Sequence, residues 1–462
     1  MRGRDAKELA DRLGAVLAPE RVIVGDSVSE DFGHDESLTG VAQLPACVVF
    51  PTSADEVRAI IGVANDCRVP LTARGSGTGL SGAAIPLPGG IVVSFEKMNR
   101  ILEIDADNHL AVVEPGVTLA QLDGVTAAHS LMYPVYPGEY SASLGGNVAT
   151  NAGGMRAVKY GVTRHQVLGL EAVLGTGEVI RTGGKFVKAS AGYDLTQLII
   201  GSEGTLALVT QAILRLYPRA THSATIVAPF RALTEVTAAV PKIVASGVGP
   251  LILEYIDAAT MAAITNHVGL DLGVPEEVKR EAVAYLLVMM EGMHADRLEE
   301  DVAALAEHVG ELGAIDVFVL PPQAAVRLVE AREKAFWLAK ANHADDIVDI
   351  VVPRASIAEF MENAAELAQR HQTWISGCGH AGDGNVHLSV FQPDAEQREK
   401  VMRGLFDLGT SLGGAVSGEH GIGLAKRKYF LALEDPAKIE LMRRIKGAFD
   451  PNGILNPGKL FD

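Results

Sequence analysis

The 462-residue sequence predicts an α+β protein built from more than one domain. Three observations lead there. A βαβ pattern near the N-terminus runs into a glycine-rich loop at 74–82, strand-rich segments follow it to about residue 218, and from about 221 to 425 strands alternate with helices. The expected division is a first domain over 1–220, a second over 221–425 and a docked tail over 426–462. A chain of this length has ample material for a sizeable core and a buried cofactor pocket.

Taken in order, MRGRDAKELADRLGAVLAPERV reads as a short amphipathic helix interrupted by charges, without the apolar core or cleavage pattern of a signal peptide. CVVFP at 47–51 is a buried strand, ADEVRAIIGVANDC at 54–67 has apolar residues at helical spacing, and PLTAR at 70–74 is a second strand. RGSGTGLSG follows at once, and its glycines at 75, 77, 79 and 82 expose successive backbone N–H groups that can cradle a pyrophosphate. It is not a Rossmann fingerprint, because that motif follows the first strand and opens a long helix. Here a βαβ unit precedes the loop, and IVVSFEKMN and HLAVVEPGV, more strand than helix, come after it.

PGEYSASLGGNVATNAGG at 137–154 is a second small-residue cluster, read as a long uncharged loop that admits close approach by a planar or phosphorylated ligand. Strand patterns return in QVLGLEAVLGTG and EVIRT, and 192–218 reads as helix, glycine-rich turn and long β segment. Beyond Pro218 the alternation is SATIVAPF, a helix at 232–245, LILEYID, a helix, AVAYLLVMM, a helix at 294–312, AIDVFVL, and helices at 322–340 and 355–371. The tail from 426 is helical and ends in DPNGILNPGKLFD, a turn-rich segment that looks ordered by docking.

The chemistry concentrates in TWISGCGHAGDGNVHLSVF and SGEHGIG. The first reads as a hairpin, at or near the edge of its sheet, with Asp383-Gly384 as a two-residue turn. That register pairs residues 382/385, 381/386 and 380/387, so His380 and His387 stand opposite with Cβ atoms roughly 4.5–5.5 Å apart. Glu419 is the natural third ligand, and two histidines with one carboxylate and vacant positions suit a catalytic divalent metal, Zn2+ or Mn2+. His420, next in sequence, suits acid–base work near an ordinary pKa of ~6.5. Without context, two such histidines are more simply hydrogen-bonded polar residues in a tight hairpin; the rest of the chain shifts the balance.

Composition narrows the field. A net charge of −17 without a basic stripe excludes a nucleic-acid partner. Cys47, Cys67 and Cys378 form no CxxC, which points away from a disulfide framework or metal cluster and towards a reducing compartment. No segment reaches the roughly 18–20 uncharged apolar residues that span a bilayer. A cytoplasmic protein is expected, with peripheral docking at the inner membrane face left open.

Assembled, these segments resemble the FAD-linked D-2-hydroxyacid dehydrogenases of the vanillyl-alcohol-oxidase superfamily: D-lactate dehydrogenases, D-2-hydroxyglutarate dehydrogenases and the glycolate oxidase D subunit. The likeness runs from PTSADEV through RGSGTGLSG, PGEYSASLGGNVATNAGG, IIGSEGTLALVT, GHAGDGNVH and SGEHGIG to the closing NPGK. It implies a two-subdomain FAD-binding domain of the PCMH type, an α+β cap domain with an antiparallel sheet carrying substrate and metal groups, and a C-terminal segment returning to the flavin. Arg74, Gly75, Ser76, Gly77, Thr78, Gly79 and Gly82 would hold the pyrophosphate. Pro137, Ser141, Gly145, Asn147, Asn151 and Gly154, with Glu203, Gly204 and Val209, would line the rest of the FAD channel, and Asn456 and Lys459 would lie near its flavin end. His380, His387 and Glu419 match the metal ligands and His420 the catalytic base. Arg332 matches the arginine that clamps the substrate carboxylate, and Asn385 a contact to the hydroxyacid.

The implied reaction is oxidation of a small 2-hydroxyacid to the 2-oxoacid by FAD, here expected to be noncovalent because RGSGTGLSG lacks a histidine for a covalent link; His109, His129 and Tyr133 are the other conceivable attachment points. Electrons would leave to a separate acceptor: electron-transfer flavoprotein, an iron–sulfur subunit, a quinone or oxygen. A homodimer is a compatible assembly. The segment 345–354 has Asp345, Asp346 and Asp349 where D-2-hydroxyglutarate enzymes carry a lysine for the distal carboxylate. Inward-pointing aspartates would repel a second carboxylate, so a monocarboxylic acid such as D-lactate, glycolate or a longer homologue is favoured over D-2-hydroxyglutarate, with Lys340 and Arg354 as cations near enough to reverse this. A non-oxidising flavoprotein of the alkyl-dihydroxyacetone-phosphate-synthase type shares the fold, but its run of consecutive cap histidines is missing here. A nonenzymatic metal- or flavin-binding subunit leaves the metal set without a purpose, and a nicotinamide-dependent dehydrogenase lacks its fingerprint.

Overall fold

The computed structural model describes residues 3–461. The helix Ala54–Cys67 forms where its caps demand: Ser53 accepts from the Glu56 N–H at the start, and Arg68 ends it in the left-handed conformation. Val57, Ile60, Ile61 and Ala64 make its buried stripe. It belongs to the core of a four-stranded sheet ordered Val22–Val24, Cys47–Val49, Ile91–Ser94, Leu71–Arg74, whose last three strands are parallel. Leu71–Arg74 delivers the chain into the glycine-rich loop at the carboxyl end of a parallel strand, where open sheets of this kind place ligands. An antiparallel five-stranded sheet, ordered Ile101–Asp105, Leu110–Val113, Ala207–Arg215, Val167–Leu174, Val179–Gly183, packs beside it.

The cluster at 137–154 is not loop throughout. A helix, Leu144–Thr150, forms within it because Ser143 caps its start by accepting from the Gly146 N–H and Asn151, at φ 55°, caps its end. Its buried stripe is short, Leu144, Asn147 and Val148, and small residues surround it, so the pattern reads as loop.

The second half centres on a seven-stranded antiparallel sheet, ordered Phe318–Val319, His222–Phe230, Ala284–Gly292, Ile252–Asp257, Trp374–Gly379, Asn385–Phe391, Asp346–Val351. Both faces are covered. Val240, Leu305, Phe360 and Phe406 lie in the core on one side, and Met261, Ile264 and Leu328 in the core on the other. AIDVFVL contributes only Phe318–Val319 to the edge, and the helix expected over 322–340 breaks at Lys334 into Pro322–Glu333 and Ala335–Ala341.

The histidine hairpin lies one strand from the edge, but its turn differs from the expected two residues. Cys378 pairs with His387 and Gly377 with Leu388, while Ala381–Asp383 forms a 3-10 turn closed by Gly384 at φ 82°. A type I′ turn needs positive φ at both central residues, and Asp383 does not adopt it. His380 therefore stands just past the strand end, in a five-residue connection.

The tail does dock. Leu455 bridges in parallel to Leu71, and Asn456 donates to the carbonyls of Ala83 at 3.0 Å and Glu203 at 2.7 Å while accepting from Thr72 Oγ1 at 3.2 Å. Among the described residues no helix is long and apolar enough to cross a membrane.

Lys459 is buried with its ammonium donating to the Ile85 carbonyl at 2.8 Å, and burial lowers its pKa to about 8. The unfolded lysine titrates near ~10.4. The cost of holding the folded ammonium is full below about pH 8 and is relieved as pH rises towards 10. Parent and Lys459→Met proteins unfolded in denaturant should thus differ by an amount that shifts in the parent's favour across that window; a pH-independent difference would contradict the assignment.

Candidate active site

His380 and His387 meet despite the altered turn. Their rings are 4.9 Å apart at 79°, and both Nε2 atoms point at Glu419 Oε1, at 3.1 Å and 3.3 Å. Glu419 arrives on the loop after the last cap-sheet helix, and all three donor atoms lie within 4.8 Å of one another. Two further carboxylates hold this arrangement, Glu254, which the sequence did not single out, and Asp349, which it placed on the substrate side. Glu254, fully buried on the strand Ile252–Asp257, places Oε1 2.6 Å from His380 Nδ1 and Oε2 2.5 Å from Arg332 Nη2. The first contact fixes the imidazole tautomer and leaves Nε2 facing the cluster.

Asp349 is the second. It accepts from Lys426 Nζ at 2.8 Å, Asn385 Nδ2 at 2.8 Å, Ser417 Oγ at 2.7 Å and the backbone N–H of His420 at 2.9 Å, with the Gly418 and Glu419 N–H groups at 3.2 and 3.3 Å. Burial alone would raise its carboxyl pKa, but the His420 ring, the Lys426 ammonium and the His387 ring hold it well below the usual range. Asp349, His387 and His420 also bring ligand atoms close together, yet Asp349's oxygens are already filled by these donors.

The electrostatics favour a cation at the three-residue cluster. Burial would lower His380, but Glu254 and Glu419 on either side raise it to about 10. Glu419 is held well below its normal value despite burial, by His380 and His387. Two buried carboxylates thus compete for positive charge at the one point where the imidazole Nε2 atoms converge. The donor set, geometry and charge all fit a divalent metal.

His420 departs from the free imidazole. Burial pushes its pKa down to about 4, so the ring is neutral at neutral pH. It stacks on His387 at 5.0 Å and 20°, with Nδ1 3.8 Å from Asp349 and without a hydrogen-bond partner among the described residues. Arg332 is buried, not a solvated helix charge; Nη2 faces Glu254 and Nε finds no partner among the described residues. Asn385 is placed differently from expectation: its amide nitrogen goes to Asp349 and the Ile350 carbonyl, so it braces the cluster and does not line the cavity.

Three neighbouring hollows share wall residues. One of about 430 Å3 contains Arg332, His380, His387, Glu419 and His420 in its wall. It shares Leu80, Pro137, Glu419 and His420 with a second of about 180 Å3, which in turn shares Ala73, Gly75, Gly146, Ala149 and Gly204 with a third of about 60 Å3. Gly75, Ser76, Gly77, Thr78, Gly79, Pro137, Asn147, Glu203 and Gly204 line the second, while Arg74, Gly145 and Val209 line the third and Gly154 the first. A Cβ on Gly75 would sit 1.9 Å from Ser143 Oγ, so the narrow cradle depends on glycine there. Asn147 lines this channel, and its buried Nδ2 has no partner among the described residues. An orphaned donor in a glycine-lined groove fits a pyrophosphate-bearing cofactor.

Four expected FAD contacts lie behind the wall. Gly82, at φ 80°, packs on Leu424; Ser141 accepts from Ser76 Oγ through its carbonyl at 2.5 Å; Asn151 is a helix cap that accepts from the Arg164 N–H; Asn456 clasps the tail. They shape the channel without facing it.

A parallel-sheet cradle leading to a histidine–carboxylate cluster over an antiparallel sheet defines a flavin-dependent oxidoreductase of the PCMH-type fold. In agreement, the structure matches that of p-cresol methylhydroxylase with substrate bound at TM-score 0.81 and 17% identity, covering 100% of this chain and 98% of the other, a likeness of fold. Residues 45–183 match the FAD binding domain and residues 219–460 the C-terminal domain of FAD linked oxidases. The chain is 56% identical over 454 residues to an uncharacterized FAD-linked oxidoreductase of Mycobacterium tuberculosis (strain ATCC 25618 / H37Rv), covering 98% of this chain and 99% of the relative. It is 41% identical over 438 residues to a D-lactate dehydrogenase of Archaeoglobus fulgidus, covering 94% and 96%. The chain belongs to the FAD-linked oxidase family of the D-2-hydroxyacid dehydrogenase type.

Removing one partner of a buried charge pair leaves the other uncompensated, at a cost of roughly 3–5 kcal/mol. Asp349→Ala should destabilise the protein on that scale in chemical denaturation, and Asp349→Ala/Lys426→Met should recover part of the loss. Equal stability of the single variant and the parent would show that Asp349 does not carry the cluster.

Proposed function

We propose that the protein oxidises a monocarboxylic D-2-hydroxyacid to the 2-oxoacid. The observation that carries this reading is the convergence of His380, His387 and Glu419 beside a neutral His420 and a buried Arg332, where the glycine-lined channel opens into the larger cavity. His380, His387 and Glu419 would hold the divalent metal, Zn2+ or Mn2+, and the channel the FAD; when bound, the metal supplies Lewis acidity towards the hydroxyl and the flavin accepts a hydride.

The chain's own residues do the rest. Arg332, held in the cavity wall beside Glu254, binds the substrate carboxylate and fixes which face of C2 meets the flavin. His420 takes the hydroxyl proton, and its neutrality keeps it ready as a base. Glu254 aligns His380 and Arg332 together, and Asp349 holds the His420 backbone. The preference for one carboxylate has a different basis from repulsion by aspartates. Asp345 accepts from the Gln392 N–H, Asp346 from the Ile347 N–H and Asp349 from its own donors, and none of them lines the cavity. Lys340 is paired with Glu36 at 2.6 Å and Arg354 donates to the Gly382 carbonyl, and neither lines the cavity where a distal carboxylate would lie.

His109, His129 and Tyr133 do not line the channel, which supports noncovalent FAD. Reduced flavin would pass its electrons to a separate acceptor, such as electron-transfer flavoprotein, an iron–sulfur subunit, a quinone or oxygen.

Anaerobic mixing of the holoprotein with D- and L-2-hydroxyacids should bleach the flavin with the D-enantiomers only, and chelation should abolish the bleaching until metal is restored. Persistent yellow colour with every acid would end the dehydrogenase reading. His420→Asn should keep FAD and lose about 10²–10⁴-fold in the rate of flavin reduction, whereas an unchanged rate would remove His420 from the base role.

A further inference from the structure

The larger cavity continues past the metal cluster, away from the glycine-lined channel. Its floor is formed by the adjacent strands Trp374–Gly379 and Asn385–Phe391, whose register pairs Cys378 with His387, Ser376 with Ser389 and Trp374 with Phe391. Alternate residues on a strand share a face, and all six line the cavity. They make a ladder of three rungs. At about 3.3 Å per residue, the aromatic rung stands roughly 13 Å from the imidazole rung. The Trp374 and Phe391 rings stack there with centroids 4.4 Å apart.

The facing wall is mostly small or apolar, with Thr260, Glu333 and Asn342 as its polar members. The helix Ala258–His267 contributes Ala259, Ala263 and Ile264, and the helix Ala335–Ala341 contributes Phe336, Leu338 and Ala339. The middle rung is less polar than its sequence implies, because Ser376 Oγ donates to Asp257 at 3.1 Å and meets Thr260 Oγ1 at 3.0 Å. Arg332 is the sole arginine or lysine in this wall among the described residues; it lies at the cluster end and faces Glu254. A second carboxylate placed along the ladder would be buried without a partner, at high cost. A side chain that is only a methyl group or hydrogen on C2 would leave the ladder and most of the 430 Å3 without contacts.

We propose that the substrate is a 2-hydroxyacid with an extended apolar side chain, a medium-length alkyl chain or an aryl group that runs between the two alanine-bearing helices to the Trp374–Phe391 rung. This deepens the hydroxyacid-oxidation reading and rests on it. The reaction at C2 is unchanged: the C–H bond gives its electron pair as hydride to FAD, the hydroxyl gives its proton to His420, and a 2-oxoacid of the same chain length leaves. Trp374 is 57% exposed, so the far end meets solvent and tails longer than the ladder project outwards. Reactivity should therefore rise with chain length and level off instead of ending at a sharp cutoff.

The test compares D-lactate, D-2-hydroxyoctanoate, D-3-phenyllactate and D-2-hydroxyglutarate as anaerobic reductants of the holoenzyme flavin. The second and third should exceed D-lactate in kcat/KM by at least about tenfold, since each buried methylene adds severalfold. In Ala263→Phe, which fills the ladder, the ratio of D-2-hydroxyoctanoate to D-lactate reactivity should fall by about tenfold. Should that variant fold poorly, Trp374→Ala, altered at the solvent end, should lower the same ratio. D-lactate or D-2-hydroxyglutarate equalling the long acids overturns this proposal while leaving hydroxyacid oxidation intact. If no acid reduces the flavin, the oxidation reading falls by itself, and titration of the oxidised flavin spectrum with 2-oxooctanoate and pyruvate decides the pocket: tighter binding of the longer acid supports it, and equal affinities overturn it.

Discussion

The site hangs on the buried carboxylate of Asp349. A charge taken out of water is tolerated only when paired and hydrogen-bonded, and Asp349 meets that condition with Lys426, Ser417, Asn385 and the backbone N–H groups of the loop that carries Glu419 and His420. The strand Asp346–Val351 thus dictates where that loop can run. Glu254 plays the matching part on the same face of the sheet, from the strand on the other flank of the hairpin, against His380 and Arg332. Each histidine of the cluster has an acidic group beyond it, His380 in hydrogen-bond contact and His387 with Nδ1 3.8 Å from Asp349. Neither ring depends on surface side chains for its orientation.

A third buried carboxylate ties the two halves together. Glu203, at the flavin-channel wall, accepts from the N–H groups of Ile422 at 2.7 Å and Gly423 at 2.8 Å, while its carbonyl accepts from Asn456. The loop bearing Glu419 and His420 is therefore anchored at its start to the cap sheet and at its end to the FAD-binding half. The docked C-terminus closes the same junction. The His420 loop and the channel wall, far apart in sequence, are registered against each other through backbone hydrogen bonds, which vary little from one side-chain rotamer to the next.

Much of this was legible in the sequence. The helix Ala54–Cys67 and the strands Cys47–Val49 and Leu71–Arg74 follow from hydrophobic period and capping, and the motifs singled out His380, His387, Glu419 and Arg332, which the fold brings to one cavity. The helix Leu144–Thr150 escaped because Leu144 and Val148 are its only large apolar residues, too few for a period to show among Gly, Asn, Ala and Thr. The turn after His380 was misread because Asp-Gly has two solutions, a type I′ turn and a 3-10 turn closed by glycine, and only the tertiary setting chooses. Glu254 in LILEYID resembles a solvent-facing strand residue; a carboxylate flanked by apolar neighbours on a central strand was the one available sign. Asp349 was noticed for its charge but assigned to the substrate side, since sequence does not say which of several aspartates finds a lysine 77 residues away.

The alternation of the strand Asn385–Phe391 separates two demands that proteins usually share among the same residues. Val386, Leu388 and Val390 point into the core shared with the helices and keep the domain folded, whereas His387, Ser389 and Phe391 face the cavity. Natural variation on the cavity face is thereby released from the need to preserve packing, so related chains can diversify in what they accept at positions 389 and 391 while retaining one scaffold. The same parity makes the strand intolerant of length change: a single inserted residue would exchange the two sets and forfeit fold and chemistry at once.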